Sequence, residues 1–106
     1  VVKKLTHKFE YNNIQNLREL LDKYKGRVAA VIMEPMNVNW PVGNYLQEVE
    51  SVTKQSGALF ILDEIITGFR YAKGGAQELF GLTPDLTVFG KGIANGFPLS
   101  VLSGRR

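Results

Sequence analysis

Three short apolar runs, each ended abruptly, constrain most strongly what this chain can fold into. They are residues 28–33, 58–62 and Leu86–Phe89, and they are followed by Pro35, by Asp63 and by a Gly-Lys-Gly segment respectively. Continuous apolar runs of this length are typical of strands covered on both faces of a parallel sheet, and the first run is half β-branched. We therefore expect three buried parallel strands, with a fourth strand possible over residues 99–102.

One helical pattern precedes the first predicted strand, and another separates the first strand from the second. The first pattern follows Asn12-Asn13, which predicts a helix cap, and stops before Gly26. The second follows Asn44, which resembles a capping box with Gln47, and stops at Gly57. Their apolar positions, spaced as on one face of a helix, are Ile14, Leu17, Leu20, Leu21 and Tyr24, then Tyr45, Leu46, Val49 and Val52.

Strands alternating with helices predict an α/β fold with a parallel sheet and crossover helices. In such sheets ligands bind beyond the carboxyl ends of the strands. This rule directs attention to the residues that follow each predicted strand. Because Asp63 and Lys91 both follow such strands, we expect them at the same edge of the sheet, on adjacent parallel strands.

The composition sets limits on function. At 106 residues the chain holds one domain at most, and its 44% hydrophobic and 22% charged residues are ordinary globular values. Its net charge of +3 is scattered, so we expect no nucleic-acid binding. No apolar run is long enough to span a membrane, and we expect neither membrane partner nor signal peptide. The absence of cysteine fits a reducing cytoplasm, and with a single histidine we expect no metal site.

Three side chains at the predicted strand ends are candidates for chemistry, and each has an ordinary alternative. Asp63 either caps the following segment or holds a cationic nitrogen or a metal at the ligand edge. Lys91, between two glycines, is either a solvated turn lysine or a reactive amine able to form a Schiff base. Glu34, before Pro35, is in isolation most simply part of a strand stop.

The glycines around Lys91 match neither of two phosphate-binding motifs in full. A P-loop fails, because Asp85 stands where its first glycine belongs and Gly92 where Ser or Thr belongs. The dinucleotide fingerprint requires glycines at 90, 92 and 95, whereas here the third is Gly96. A dinucleotide-binding α/β fragment therefore stays open as an alternative function.

The strand-end features occur together and in order. They are Glu34-Pro35, then ALFILDEIITGFR over residues 58–70, then TPDLTVFGKGIANGFP over residues 83–98. This combination resembles the class III (subgroup II) aminotransferases, which depend on pyridoxal 5′-phosphate (PLP). The stretch TGFRYAKGGAQ over residues 67–77 and the ending SGRR over residues 103–106 resemble the glutamate-1-semialdehyde 2,1-aminomutase branch in particular.

The resemblance implies a role for each matching residue. Lys91 matches the lysine that forms a Schiff base with the cofactor and moves the substrate proton. Asp63 matches the carboxylate that pairs with the pyridine nitrogen, and Ile65 matches the aliphatic side chain that packs on the ring. Glu34 matches a glutamate that gates between substrate classes in some members. The implied activity is amino-group transfer on small-molecule donors and acceptors, as a transaminase or an aminomutase.

The chain departs from the family pattern in three respects. Ile66 stands where many members have a glutamine that contacts the ring hydroxyl, and Ala94-Asn95 replaces a glycine pair, although asparagine tolerates a left-handed backbone. Family members are also several times longer. The resemblance therefore implies that residues 1–106 are the middle of a fold-type I large domain, without its phosphate loop and small C-terminal domain. It further implies a cytoplasmic homodimeric parent enzyme and an inactive isolated chain. Beside the enzyme and the dinucleotide-binding fragment, a non-catalytic relic that keeps the fold alone is the third alternative.

Overall fold

The structure is a computed structural model that describes residues 2–104. Arg105 and Arg106, the last residues of the SGRR ending, lie outside the described residues. None of the helices in the described range is long and apolar enough to cross a membrane. In chain order the elements are α1 (Val2–Leu5), α2 (Ile14–Lys23), β1 (Ala30–Met33), α3 (Tyr45–Gln55), β2 (Leu59–Asp63), α4 (Ala76–Phe80), β3 (Leu86–Phe89), a 3-10 helix (Lys91–Ile93) and β4 (Val101–Gly104).

The four strands form one sheet in the order β1-β2-β3-β4. The first three strands are parallel, which confirms the predicted parallel sheet. The fourth strand begins two residues later than expected and runs antiparallel to β3. Parallel neighbours need a crossover connection, which α3 and α4 provide, whereas the short return after β3 reverses the direction of the chain. In this register Asp63 pairs with Val88.

The core lies on one face of the sheet. Helices α2 and α3 pack there against alternate residues of β1 and β2. The expectation that the strands are covered on both faces is wrong for the described residues, since Ile32 and Leu59 are 57% and 47% exposed. Successive side chains of a strand point to opposite faces, and the helices described here cover only one of them. The buried apolar side chains of the core are Leu17, Leu21, Val31, Met33, Tyr45, Leu46, Val49, Val52, Phe60, Leu62 and Leu82.

The two predicted helix starts differ in outcome. The Asn13 side chain accepts a hydrogen bond from the Asn16 backbone amide at 3.1 Å, which confirms the cap of α2. The capping box at Asn44 is wrong, because the Asn44 side chain makes no capping hydrogen bond. Its proposed partner Gln47 instead donates to the carbonyl oxygen of Phe80 at 2.7 Å, a contact 33 residues away in sequence.

Candidate active site

The strand ends bring the predicted site residues to one edge of the sheet. Asp63 is the last residue of β2, and Lys91 is the second residue after β3. These strands are parallel neighbours, and Lys91 lies three residues beyond the register partner of Asp63. The predicted placement of Asp63 and Lys91 at the same edge of adjacent strands is therefore confirmed. Glu34 directly follows β1, the strand on the other side of β2.

The Asp63 carboxylate is fixed by the turn that follows it. Its Oδ1 atom accepts a hydrogen bond from the Ile65 backbone amide at 3.0 Å. Asp63 is partly buried, so the carboxylate is shielded but can still be reached by a ligand. A partly buried anion held in this way favours a cationic partner at the sheet edge.

Lys91 is held in an unusual backbone conformation. Its φ angle is +44°, and it opens the 3-10 helix with its side chain exposed. The left-handed region costs a residue with a Cβ atom about 1–2 kcal/mol. Strain of this kind persists only where the surroundings enforce it, and it is concentrated at functional sites. Asn95 shares the left-handed region with a φ of +45°, which confirms that the turn tolerates asparagine there.

Ile65 contacts the backbone that leads into Lys91. A Cβ atom added to the buried Gly90 would lie 3.3 Å from Cγ2 of Ile65. The absence of a side chain at Gly90 therefore lets the β2 turn approach the end of β3. The structure thus places Asp63, Ile65 and Lys91 at the ends of the neighbouring strands β2 and β3.

Glu34 has a different environment. Its Oε2 atom is buried, with no hydrogen-bond partner among the residues that the structure describes. The side chain lines an open cavity of about 500 Å³ together with Tyr11 and Val38. The Tyr11 hydroxyl donates to the carbonyl oxygen of Pro35 at 2.6 Å. Burial, assisted by neighbouring Tyr45, raises the pKa of Tyr11 to about 12, so it stays a neutral donor near pH 7.

One residue of this edge was missed as a candidate. Glu64 follows Asp63 and is fully buried, and its carboxylate accepts hydrogen bonds from Thr67 and from the start of α4. The available signals were a second acidic residue at a strand end and a threonine three positions later. Neither signal identifies Ala76 and Gln77 as partners, because they lie 12 and 13 residues away.

The segment after β3 does not support dinucleotide binding. The fingerprint places its glycines at the start of a helix whose N-terminus holds the pyrophosphate. Here Gly90 is followed by a 3-10 helix of three residues, Lys91–Ile93, and then by turns until β4 begins at Val101.

Comparison with known proteins identifies the family. The model of the class-III aminotransferases matches residues 1–106. The chain belongs to this family. Its relatives include the glutamate-1-semialdehyde 2,1-aminomutase of Methanococcoides burtonii, which is 46% identical over 107 residues. That match covers 97% of this chain and 25% of the relative, so the chain spans about a quarter of the length of the curated relatives it matches.

Solved structures agree with this assignment. An omega-transaminase from Sphaerobacter thermophilus is 33% identical, with a TM-score of 0.83 over 92% of this chain and 23% of its own. The ornithine aminotransferase from Toxoplasma gondii is 31% identical, with a TM-score of 0.84 over 92% of this chain and 24% of its own. The latter structure has PLP at its active site in partial occupancy. The α/β fold expected from the resemblance, that of the fold-type I aminotransferases, is confirmed.

The residues at the edge of this sheet fit PLP. A protonated pyridine nitrogen needs a fixed carboxylate, which Asp63 offers. An aldehyde needs an amine, which Lys91 offers from the neighbouring strand. The flat ring needs an apolar contact, which the aliphatic side chain of Ile65, packed near Gly90, can provide.

Proposed function

We propose that this chain is the central part of the cofactor-binding domain of a PLP-dependent class III aminotransferase or aminomutase, and that Lys91 carries its reaction. One observation carries the proposal. A fixed carboxylate, Asp63, and a backbone-strained lysine, Lys91, end adjacent parallel strands at the same sheet edge. Family membership supports the same conclusion.

Asp63 is proposed to hold a proton at the pyridine nitrogen. When bound, PLP supplies a carbonyl group for amines and a ring that withdraws electrons from the substrate carbon. The ring withdraws electrons best when its nitrogen is protonated, and a nearby carboxylate favours that state. The hydrogen bond from the Ile65 amide to Asp63 Oδ1 keeps the carboxylate in one orientation while it does so.

Lys91 is proposed to hold the cofactor aldehyde and then to move the proton at the substrate α-carbon. A lysine amine can act both as a nucleophile and as a general base. Its backbone is held in the left-handed region directly after Gly90, at the start of the 3-10 helix. Ile65, beside Gly90, is proposed to pack on the ring face and to exclude water from it.

Glu34 is proposed to act on substrate choice rather than on the chemistry. Its Oε2 atom, which has no hydrogen-bond partner within residues 2–104, lies at the end of β1, the neighbour of the strand that carries Asp63. A buried acceptor without a donor favours a ligand that brings one. The proposed substrates are small amino-group donors and acceptors, and the Methanococcoides burtonii relative suggests glutamate 1-semialdehyde as the first compound to assay.

The proposed parent protein is a cytoplasmic homodimer. The absence of cysteine is compatible with a reducing compartment. The apolar side chains Ile32 and Leu59, exposed on the sheet face opposite the core, support further protein packing against this part of the chain.

The proposal is tested in the full-length protein that contains this chain by replacing Asp63→Asn. The matched control is Asp85→Asn at the opposite edge of the sheet, where Asp85 Oδ2 accepts from the Phe60 amide at 2.8 Å. Both variants are assayed for PLP affinity and for amino-group transfer on glutamate 1-semialdehyde and ornithine. We expect Asp63→Asn to retain PLP but to lose about 10²–10⁴-fold in turnover, the usual size of a proton-handling defect.

Three outcomes would contradict the proposal. Equal turnover in Asp63→Asn and Asp85→Asn would remove Asp63 from the chemistry. A wild-type protein that binds PLP but transfers no amino group from any donor would identify the non-catalytic relic instead, and nicotinamide binding without PLP binding would identify the dinucleotide alternative.

A further inference from the structure

Glu64 is a charged residue with no contact to solvent. Its exposed fraction is 0%, and it follows Asp63 directly in the chain. A buried carboxylate is stable only where hydrogen-bond donors surround it. Three donors do so here: the Thr67 hydroxyl at 2.9 Å, the Ala76 amide at 2.6 Å and the Gln77 amide at 2.8 Å.

The backbone on the far side is shaped to admit this carboxylate. Gly75 is buried and has a φ of +80°, a conformation that side chains rarely adopt. A Cβ atom at Gly75 would overlap the carboxylate of Glu64. The close approach of residues 75–77 to Glu64 therefore depends on glycine at this position.

The main chain of Glu64 adds two further links. Its amide donates to the carbonyl oxygen of Val88 in β3 at 2.9 Å, and its carbonyl oxygen accepts from the Gly68 amide at 2.8 Å. Gly68 in turn packs closely on Phe89, since a Cβ atom there would lie 2.7 Å from Cδ1 of the phenylalanine ring. Glu64 thus joins the end of β2, the end of β3, the turn between them and the start of α4.

These links fix the two site residues on either side. Asp63 and Ile65 flank Glu64, and the Ile65 amide is the donor that orients the Asp63 carboxylate. Rotation of the backbone at Glu64 would move both residues relative to Lys91. We propose that Glu64 is a positioning residue, which holds Asp63 and Ile65 in register with Lys91 through its buried hydrogen bonds. This inference rests on the proposed function, because it holds that the alignment of Asp63 and Ile65 with Lys91 serves PLP binding.

A second carboxylate provides a matched control. Glu50 in α3 also accepts from a backbone amide and a hydroxyl, those of Thr83, at 2.9 and 2.7 Å. Its side chain is 12% exposed, and it joins α3 to the turn that precedes β3, at the amino edge of the sheet. Loss of Glu50 therefore perturbs the fold without touching the proposed site.

The test compares four variants of the full-length protein. Glu64→Gln keeps the side-chain size but presents an amide nitrogen to a donor. Thr67→Val removes one hydroxyl donor, Thr67→Ser retains it, and Glu50→Gln is the control. The readouts are the dissociation constant for PLP, measured by titration, and the hydrogen-exchange rate of the Ile65 amide, which reports its bond to Asp63 without any cofactor.

We expect Glu64→Gln to weaken PLP binding by about tenfold or more, the size expected for one lost hydrogen bond to a buried charge. Ile65 exchange should accelerate in the same variant. Thr67→Val should show both changes to a smaller extent, Thr67→Ser should restore both, and Glu50→Gln should show neither. If Glu64→Gln does not fold, the Thr67 pair decides the question.

The inference is overturned if Ile65 exchange and PLP affinity change no more in Glu64→Gln and Thr67→Val than in Glu50→Gln. Failure of the proposed function gives a different result, because the wild-type protein would then not bind PLP while the pattern of Ile65 exchange could still be measured. Faster Ile65 exchange with unchanged PLP affinity also overturns the inference, since it separates the turn from the cofactor.

Discussion

The two crossover connections of the parallel sheet are built on different principles. The first, between β1 and β2, contains the eleven-residue helix α3, whose Leu46 and Val49 are fully buried against the core. The second, between β2 and β3, contains only the five-residue helix α4 and is held by hydrogen bonds to the carboxylate of Glu64. Apolar packing dominates the first connection, whereas the second combines the packing of its own core residue Leu82 with directional contacts to a buried carboxylate.

The difference follows from what each connection must position. Apolar contacts are non-directional, so a packed helix tolerates small shifts without losing its stabilisation. Hydrogen bonds weaken steeply away from their preferred geometry, so they fix the orientation of the groups they join. The crossover that begins at Asp63 and leads towards Lys91 is the one held by directional contacts, as expected for the connection that bears a site.

The largest expected effect separates function from stability at Lys91, just beyond the strand to which the second connection leads. Lys91→Ala in the full-length protein should lower amino-group transfer by at least about 10²–10⁴-fold, from the loss of its proton-transfer role alone. The free energy of unfolding should change little, because Lys91 is exposed. Turnover and urea denaturation are measured together, with the exposed Lys73→Ala as control. Similar losses of turnover in Lys91→Ala and Lys73→Ala would contradict the assignment of the reaction to Lys91.

The next effect tests the first connection. Leu46→Ala should lower the free energy of unfolding by about 2–5 kcal/mol, the usual cost of a cavity in a packed core. The control Glu48→Ala removes an exposed ion pair to Arg18, 3.6 Å long, and should cost less than about 1 kcal/mol. Equal midpoints for the two variants in urea denaturation would show that α3 is not held by its apolar face.

A smaller effect measures the strain at the site. Because the φ of Lys91 is +44°, Lys91→Gly should be more stable than Lys91→Ala by about 1 kcal/mol, since glycine adopts the left-handed region without penalty. Denaturation of the two variants side by side gives the difference. A more stable alanine variant would mean that the backbone at this position is relaxed.

The smallest effect concerns pH and the first connection. Burial raises the pKa of Glu50, but hydrogen bonds from Lys54 and Thr83 outweigh it and hold this pKa below its ordinary value of 4.5. A lowered folded-state pKa stabilises the protein above about pH 4.5, and this stabilisation is lost as the pH falls through the folded-state pKa. The free energy of unfolding should therefore fall less steeply with acid in Glu50→Gln than in the wild type. Parallel pH profiles would contradict this assignment.

The sequence predicted the parts of the fold that depend on local pattern. Strand β3 and the capped start of α2 followed from apolar runs and from Asn13. The capping box at Asn44 failed because Gln47 finds a partner in Phe80, and such distant partners leave no local pattern. The exposure of Ile32 could not be predicted either, because an apolar run does not show which elements cover each face.

The candidate site likewise has residues that a local pattern predicts and one that it does not. Asp63 and Lys91 could be placed at one edge because both end apolar strands, and parallel strands share a carboxyl edge. The part played by Glu64 could not be predicted, because its amide partners lie 12 and 13 residues away in sequence and leave no local pattern.

The most direct test of the central claim is the chemical location of the cofactor. The full-length protein is loaded with PLP, reduced with borohydride, digested and mapped by mass spectrometry. We predict that the reduced cofactor is attached to Lys91, and that Lys91→Ala abolishes the attachment while Lys73→Ala leaves it unchanged. Attachment to any other lysine, or none in a protein that binds PLP, would contradict the assignment of the site.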